Sequence, residues 1–310
     1  MKGKKSIFYT SAAIALTVVI FVIYSSYSAL KLNDKMDAVQ SRIETVNFFI
    51  KDVEKDINNG AYIAGFRTFL SFNQLIASNG TYIIDLNKTF EESFLNGTVN
   101  GLSQTLMDDS TFADWSNKIS EQADKIDINF NFTINKIGLE QQDPWSVNIN
   151  LNLSLYIQDK KGVSSWNREK MISSKISIAG FEDPLYLVGS TGRVSNAIVP
   201  TSVTTFVSNG DMANLLYHMN GSYYIAHNDS PSFLMRLGGE FGNSTYGIES
   251  LVNIEKFQQQ GLAVYDRSIV DSVYFGTQTT TNHRINSTPE WFKIDDAHLE
   301  VYQVANWTIS

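Results

Sequence analysis

The stretch that decides the fold is LNDKMDAVQSRIETVNFFIKDVEKDI, residues 32–57. Its apolar residues stand at Leu32, Met36, Val39, Ile43, Val46, Ile50, Val53 and Ile57. Alternating steps of four and three make a heptad stripe along one face of a helix. No proline or glycine interrupts residues 6–57. The pattern therefore predicts one rod of about 78 Å, ended by Asn58, Asn59 and Gly60, with the glycine suited to a left-handed C-cap.

Two packings of the stripe are open. In a coiled coil between chains, Met36, Ile43, Ile50 and Ile57 alternate with Leu32, Val39, Val46 and Val53, and β-branched residues at both core positions lean away from a parallel dimer. The flanks, Lys35, Arg42, Phe49 and Asp56 against Asn33, Gln40, Asn47 and Glu54, are not a complementary charge set. In the other packing the helix docks on the chain's own head. Phe48 and Phe49 widen the apolar face beyond a two-position seam, which favours this second packing.

Upstream of the stripe, residues 6–30 (SIFYTSAAIALTVVIFVIYSSYSAL) carry no charge. As a helix these 25 residues span about 37 Å, against a hydrocarbon core of about 30 Å. Lys2, Lys4 and Lys5 precede the run, and a mixed set of Lys31, Asp34, Lys35 and Asp37 follows it. The positive-inside rule then predicts a single pass, with the N-terminus cytoplasmic and the rest outside the cell membrane. A cleaved signal peptide is the competing reading, with a small-x-small site at Ser26-Tyr27-Ser28. Such a signal has an apolar core of about 7–15 residues, so the length of this run favours an anchor.

Composition agrees with an exported body. Residues 1–60 hold 8 Lys/Arg and 6 Asp/Glu, and the other 250 hold 16 and 26, so the body is acidic. Nucleic acid is not an expected partner, because phosphate binding needs a basic surface. There is no cysteine. That excludes disulfides, cysteine-ligated metals and cysteine nucleophiles, and it leans toward a prokaryotic source. Asn-x-Ser/Thr sequons occur at Asn79, Asn87, Asn96, Asn131, Asn152, Asn220, Asn228, Asn243, Asn286 and Asn306. These ten exceed the about four that chance would place, as an N-glycosylated outer surface would.

Beyond residue 60 the chain first reads as helical: 61–77, 88–95 and 111–126, with Phe112, Trp115, Ile119 and Ala123 on one face of the last. The period then changes to two. Residues 127–137, 145–159 and 164–181 read as three antiparallel strands joined by turns, with one apolar face and one rich in Asn and Ser. From 181 onward strand, loop and glycine-rich turn are expected. A short helix is expected at 211–219, a hairpin at 232–254, and late strands at 270–275 and 291–309. The fold class is α+β: a long N-terminal transmembrane and amphipathic helix, then a β-rich extracytoplasmic domain with a meander and short helices. The divisions are 1–30, 31–60 and 61–310, with a further boundary near 181–200 left open.

No sequence motif for nucleotide binding, serine hydrolysis or helical zinc chemistry is present, and no cofactor or catalytic residue is expected. The nearest thing to a metal cluster is Asp296, His298 and Glu300, which share one face if residues 291–309 form a strand. Ala297, Leu299 and Val301 would then be the apolar face, so the acidic set reads more simply as the solvated side. His227-Asn228-Asp229 reads as a surface loop. The tryptophans Trp115, Trp145, Trp166, Trp291 and Trp307 would form a glycan platform if exposed, although core is their commoner fate.

A hydrophobic N-terminal helix continuing into an amphipathic half, with a β-meander laid against it, resembles the type IV pilin architecture. The chain is most similar to the pilin-like exported proteins common in archaeal genomes, and GFEDPLYLV, SFLMRL and YGIESLVNI look like segments of them. It departs from the pilin pattern at its start: Lys4 and Lys5 follow Gly3, and Phe8 stands where many pilins carry Glu. The resemblance implies a non-enzymatic structural or adhesive surface protein. Its partners would be the lipid bilayer and either further copies of itself or other pilin-like subunits; no surface ligand is legible. The alternatives are an anchored receptor or sensor ectodomain and, further off, an exported metal-dependent hydrolase built on Asp296, His298 and Glu300.

Overall fold

A computed structural model describes residues 3–309, and the side chains of 3–13, Ala29 and Asn33 lie outside what it describes. It is α+β. Helix α1 (Gly3–Asn79) is unbroken over 77 residues. It is followed by α2 (Leu86–Asn96), the short pair β1 (Thr98–Val99) and β2 (Leu102–Ser103), and α3 (Phe112–Lys125). Three long strands come next: β3 (Ile128–Asp143), β4 (Ser146–Asp159) and β5 (Ser165–Ser177). The last third alternates short elements: α4 (Pro184–Gly189), α5 (Ala213–Gly221), β6 (Tyr224–Ala226), α6 (Phe233–Gly238), β7 (Ile248–Ser250), α7 (Ile254–Gln259), α8 (Asp271–Phe275), β8 (Asn282–Ile285), β9 (Lys293–Asp295) and β10 (Thr308–Ile309).

The helix passes through its expected stop. Gly60 is buried inside α1, and a Cβ there would lie 2.6 Å from the Trp115 ring. The glycine makes room for the indole instead of ending the helix. Trp115 is fixed by its Nε1, which donates to Asp56 Oδ2 at 2.9 Å. The left-handed terminator is Gly80, at φ 67°, whose N–H donates to Ile76 O at 2.8 Å, the capping role expected of a glycine at that place.

The chain divides into two compact units. The first comprises Met1–Lys55, Ile119–Phe132 and Leu155–Arg168. Here the stripe changes character along its length. Leu32, Met36 and Val39 are exposed and Ile43 is half-buried, whereas Val46, Ile50 and Val53 are buried along with Ile128, Phe130, Leu155 and Ile157. Phe49 meets Phe130 edge-on at 6.0 Å, while Phe48 stays exposed. Arg42 donates to Asp159 and to the carbonyls of Ile126 and Asp127, at 2.6 and 2.8 Å for the carbonyls.

The second unit comprises Asp56–Lys118, Thr133–Ser154 and Glu169–Ser310. The three long strands form a sheet in the order β3-β4-β5. The two-residue connection from β3 to β4 requires antiparallel pairing. Strand β4 alternates as its sequence does: in this unit Val147, Ile149, Leu151 and Leu153 are each at most 1% exposed. Each such side chain contributes about 1.5–3 kcal/mol of transfer free energy. Gly65 of α1 is where Ile149 and Ile176 press in, since a Cβ would lie 1.9 Å from Ile149 Cδ1. An aromatic cluster of Phe69, Phe72, Phe90, Phe181 and Phe233 lies within this unit.

Several expected strands are helices. Residues 271–275 form α8, residues 233–238 form α6, and 184–189 form α4. Asp183 caps α4 by accepting from Leu185 N at 2.8 Å, ahead of a proline at the first helical position. Those are helix-start signals. The expected strand at 291–309 is cut short: β9 ends at Asp295, and Asp296–His298 is a 3-10 turn. Segment 181–200 folds back on itself within the second unit, with Asp183 N to Asn196 O at 2.9 Å and Ile198 N to Phe181 O at 2.8 Å.

Candidate functional site

The polar chemistry of the second unit gathers on the two sides of β7. Strand β7 pairs antiparallel with β6, Tyr224 opposite Ser250 and Ile225 opposite Glu249, and all three β7 residues are buried. Its entry is set by Gly247. A Cβ there would lie 2.0 Å from Ser230 O and 2.3 Å from His227 O, so only glycine lets the 227–230 loop run this close. His227 N donates to Gly247 O at 3.0 Å and closes that loop onto the strand. Side chains alternate across a strand, so Ser250 and Glu249 serve opposite faces.

On the Ser250 face lies Arg236, wholly buried. Its guanidinium donates to Asp183 at 2.5 Å, to Asp271 at 2.9 and 3.2 Å, to Pro231 O at 3.3 Å and to Ile248 O. Burial acts to lower the Arg236 pKa, and the two aspartates more than reverse it. Tyr224 donates to Asp183 at 2.7 Å, and Ser250 donates to Asp271 at 2.8 Å. The arrangement ties α4, α6, α8 and β7 together. Each guanidinium nitrogen already has an acceptor, so this face is a structural hub.

The Glu249 face is different. Glu249 is fully buried. Its Oε2 accepts from Ser230 Oγ and lies 2.9 Å from His227 Nδ1 and 3.3 Å from His298 Nε2. His298 is held from behind: its Nδ1 is 2.7 Å from Asp295 Oδ1, and Asp295 Oδ2 accepts from Ser268 Oγ at 2.7 Å. The two imidazoles meet at 5.4 Å between ring centres. Glu249 Oε1, His298 Nε2 and the Tyr302 hydroxyl are buried, and none meets a partner in hydrogen-bonding alignment. The electrostatics follow from this enclosure. Burial works to lower the His298 pKa, but Asp295 and Glu249 raise it to about 10. The hydrogen bond to Glu249 raises His227. Burial pushes Glu249 up, and the two imidazoles override it and hold it below the usual carboxylate range.

No protein-family model, curated protein or solved structure matches the chain.

The sequence-predicted residues fall apart and regroup. Asp296 is exposed and lies 2.5 Å from His283 Nε2, and Glu300 is exposed. Only His298 enters the cluster, because the 3-10 turn after β9 breaks the alternation and turns it inward. His227, read as a surface residue, is half-buried and directed at Glu249, while Asn228 and Asp229 are exposed as expected. Glu249 was missed; the available signal was the one charged residue in the run Ile248–Ile254, beside the apolar Ile248, Leu251, Val252 and Ile254. Nine of the ten sequon asparagines are exposed, and the tenth, Asn152, is half-buried on β4. All five tryptophans are half-buried.

Proposed function

We propose that the chain is a membrane-rooted, outward-facing surface protein of pilin-like build, with a structural or adhesive role and no catalysis of its own. One observation carries this reading. A single helix runs without a break from an uncharged, apolar, exposed stretch into residues buried in the folded body. It is long and apolar enough to cross a membrane. From Ile14 to Leu30 the large apolar side chains are 54–70% exposed, a state that lipid relieves and water does not. The basic residues before the run support a body outside the membrane, by the positive-inside rule. The open sequons fit a glycosylated outer face, and the acidic body gives no footing for nucleic acid.

The exposed half of the stripe supports self-assembly. The heptad rhythm begins at Leu32, but burial within the chain begins only at Val46. Leu32, Met36 and Val39 therefore offer a seam to a second copy or to a similar subunit, just outside the bilayer. The test is membrane partition. Full-length protein stays in the membrane pellet through an alkaline wash, and Ile20→Lys, which adds about 2.5–3.5 kcal/mol at the helix centre, weakens that retention. Release of the unaltered protein by the wash would sink the reading.

A further inference from the structure

We propose that His227, Glu249 and His298 form a binding site for one divalent transition-metal ion of the zinc class. This goes beyond the surface role above and departs from the sequence expectation of no metal site.

Three observations converge on it. The ligand atoms of the three side chains all lie within 4.8 Å of one another. Four-coordinate zinc with ligands at about 2.0–2.2 Å holds neighbouring ligand atoms about 3.4 Å apart. The separations of 2.9 Å and 3.3 Å from Glu249 Oε2 are close to that. The second observation is unmet valence. Glu249 Oε1 is buried without a hydrogen bond, and His298 Nε2 has only the off-line 3.3 Å approach to Glu249 Oε2; such groups are costly unless something outside the chain satisfies them. The third is orientation. Asp295 binds the far nitrogen of His298 at 2.7 Å, as carboxylates do behind metal-bound histidines, which fixes the ring and leaves Nε2 to the ion.

The donor set selects the metal. Two imidazoles and one carboxylate suit zinc and its first-row neighbours; magnesium and calcium take oxygen ligands. The ion enters past His227, whose side chain is 19% exposed, beside the exposed Asp229. Three protein ligands leave a fourth position, and the buried Tyr302 hydroxyl, which faces Glu249, is the group nearest to hand. Without metal the Glu249 carboxylate lies between the two imidazoles, 2.9 Å from His227 Nδ1 and 3.3 Å from His298 Nε2.

The experiment uses full-length protein in detergent, stripped with a chelator and dialysed against zinc chloride or magnesium chloride. One zinc per chain and no magnesium is expected, with X-ray absorption showing nitrogen and oxygen ligands at about 2.0–2.1 Å and no sulfur. His227→Ala, at the rim, is expected to weaken zinc binding at least ten-fold without unfolding the protein. Asp295→Asn, a positioning change, weakens it about 10- to 100-fold. His283→Asn, at the separate exposed pair with Asp296, leaves it unchanged. No zinc taken up by folded, unaltered protein would overturn the proposal. So would zinc that survives His227→Ala but is lost in His283→Asn.

Discussion

Arg42 and Asp159 are 117 residues apart in sequence and form an ion pair in which the aspartate side chain has no solvent exposure and the arginine 18%. The same aspartate accepts from Lys161 N and Val163 N at 3.0 and 3.1 Å, so it also shapes the turn between β4 and β5. One guanidinium thus locks the helix to the turn within the first unit. Removing one partner leaves a charge without its counterpart in a closed site. Arg42→Ala is expected to lower stability by about 3 kcal/mol, read from chemical denaturation of the detergent-solubilised protein. A change under 1 kcal/mol would mean the pair is incidental.

The same pair sets an acid sensitivity. Burial pushes the Asp159 carboxyl up, but Arg42 and the turn N–H groups win and hold it below its ordinary value. A carboxylate depressed in the folded state contributes stability above its unfolded value of about 3.9, lost as pH falls through the folded value. Asp159→Asn is therefore less stable than the parent at pH 7, and the gap narrows toward pH 3. A gap that stays constant from pH 7 to 3 would contradict this origin.

Gly60 and Trp115 pose a packing question with two opposed terms. Gly to Ala within a helix gains about 1 kcal/mol. The added methyl meets the indole 2.6 Å away, and overpacking costs about 1–3 kcal/mol. Gly60→Ala is expected to be net destabilising by about 1 kcal/mol, and Trp115→Leu in the same chain restores the propensity gain. Stabilisation by Gly60→Ala alone would mean the ring moves freely.

His218 is wholly buried, and neither ring nitrogen has a partner. It packs on Phe206 and Tyr302, at 4.9 and 5.8 Å between ring centres. Burial lowers its pKa to about 4, with the Glu249 charge pulling weakly the other way. The unfolded chain therefore binds a proton near pH 6.5 that the folded one refuses, so stability falls as pH drops from 6.5 toward 4. His218→Phe removes both orphan nitrogens and this pH dependence. It is expected to be neutral or better at pH 7 and about 2 kcal/mol better at pH 5. Thermal melts at the two pH values decide it; a variant worse at pH 5 would show that the ring is needed.

How much of this could be read from the sequence follows from the length of each pattern. The six alternating residues of β4 and the long stripe of α1 repeat often enough to define their period, and both elements are present. The end of α1 was misplaced because Gly60 looks like a cap, and its reason for being glycine is Trp115, 55 residues on. The five- and six-residue helices α4, α6 and α8 are too short to show a 3.6 period, although Asp183-Pro184 and Ser232 carried capping signals. The His227, Glu249 and His298 cluster follows no spacing rule. It is assembled by a loop that Gly247 permits, a three-residue strand and a 3-10 turn, none of which has a period to read.

Self-assembly has a direct readout because the chain lacks cysteine. Val39→Cys, on the exposed half of the stripe, is expected to give a disulfide-linked dimer in native membranes under mild oxidation. Glu290→Cys, on the head with its side chain 93% exposed, serves as the control that does not. Monomer alone from both would remove the seam.

The most direct measurement uses that second variant. Glu290→Cys in intact cells is treated with a membrane-impermeant maleimide, beside Lys5→Cys as the opposite marker. Labelling at position 290 from outside, with position 5 reached only after the membrane is opened, is the predicted result and fixes a single pass with the body exported. Labelling at position 5 in intact cells, or none at 290 until lysis, would contradict a membrane-rooted protein facing outward.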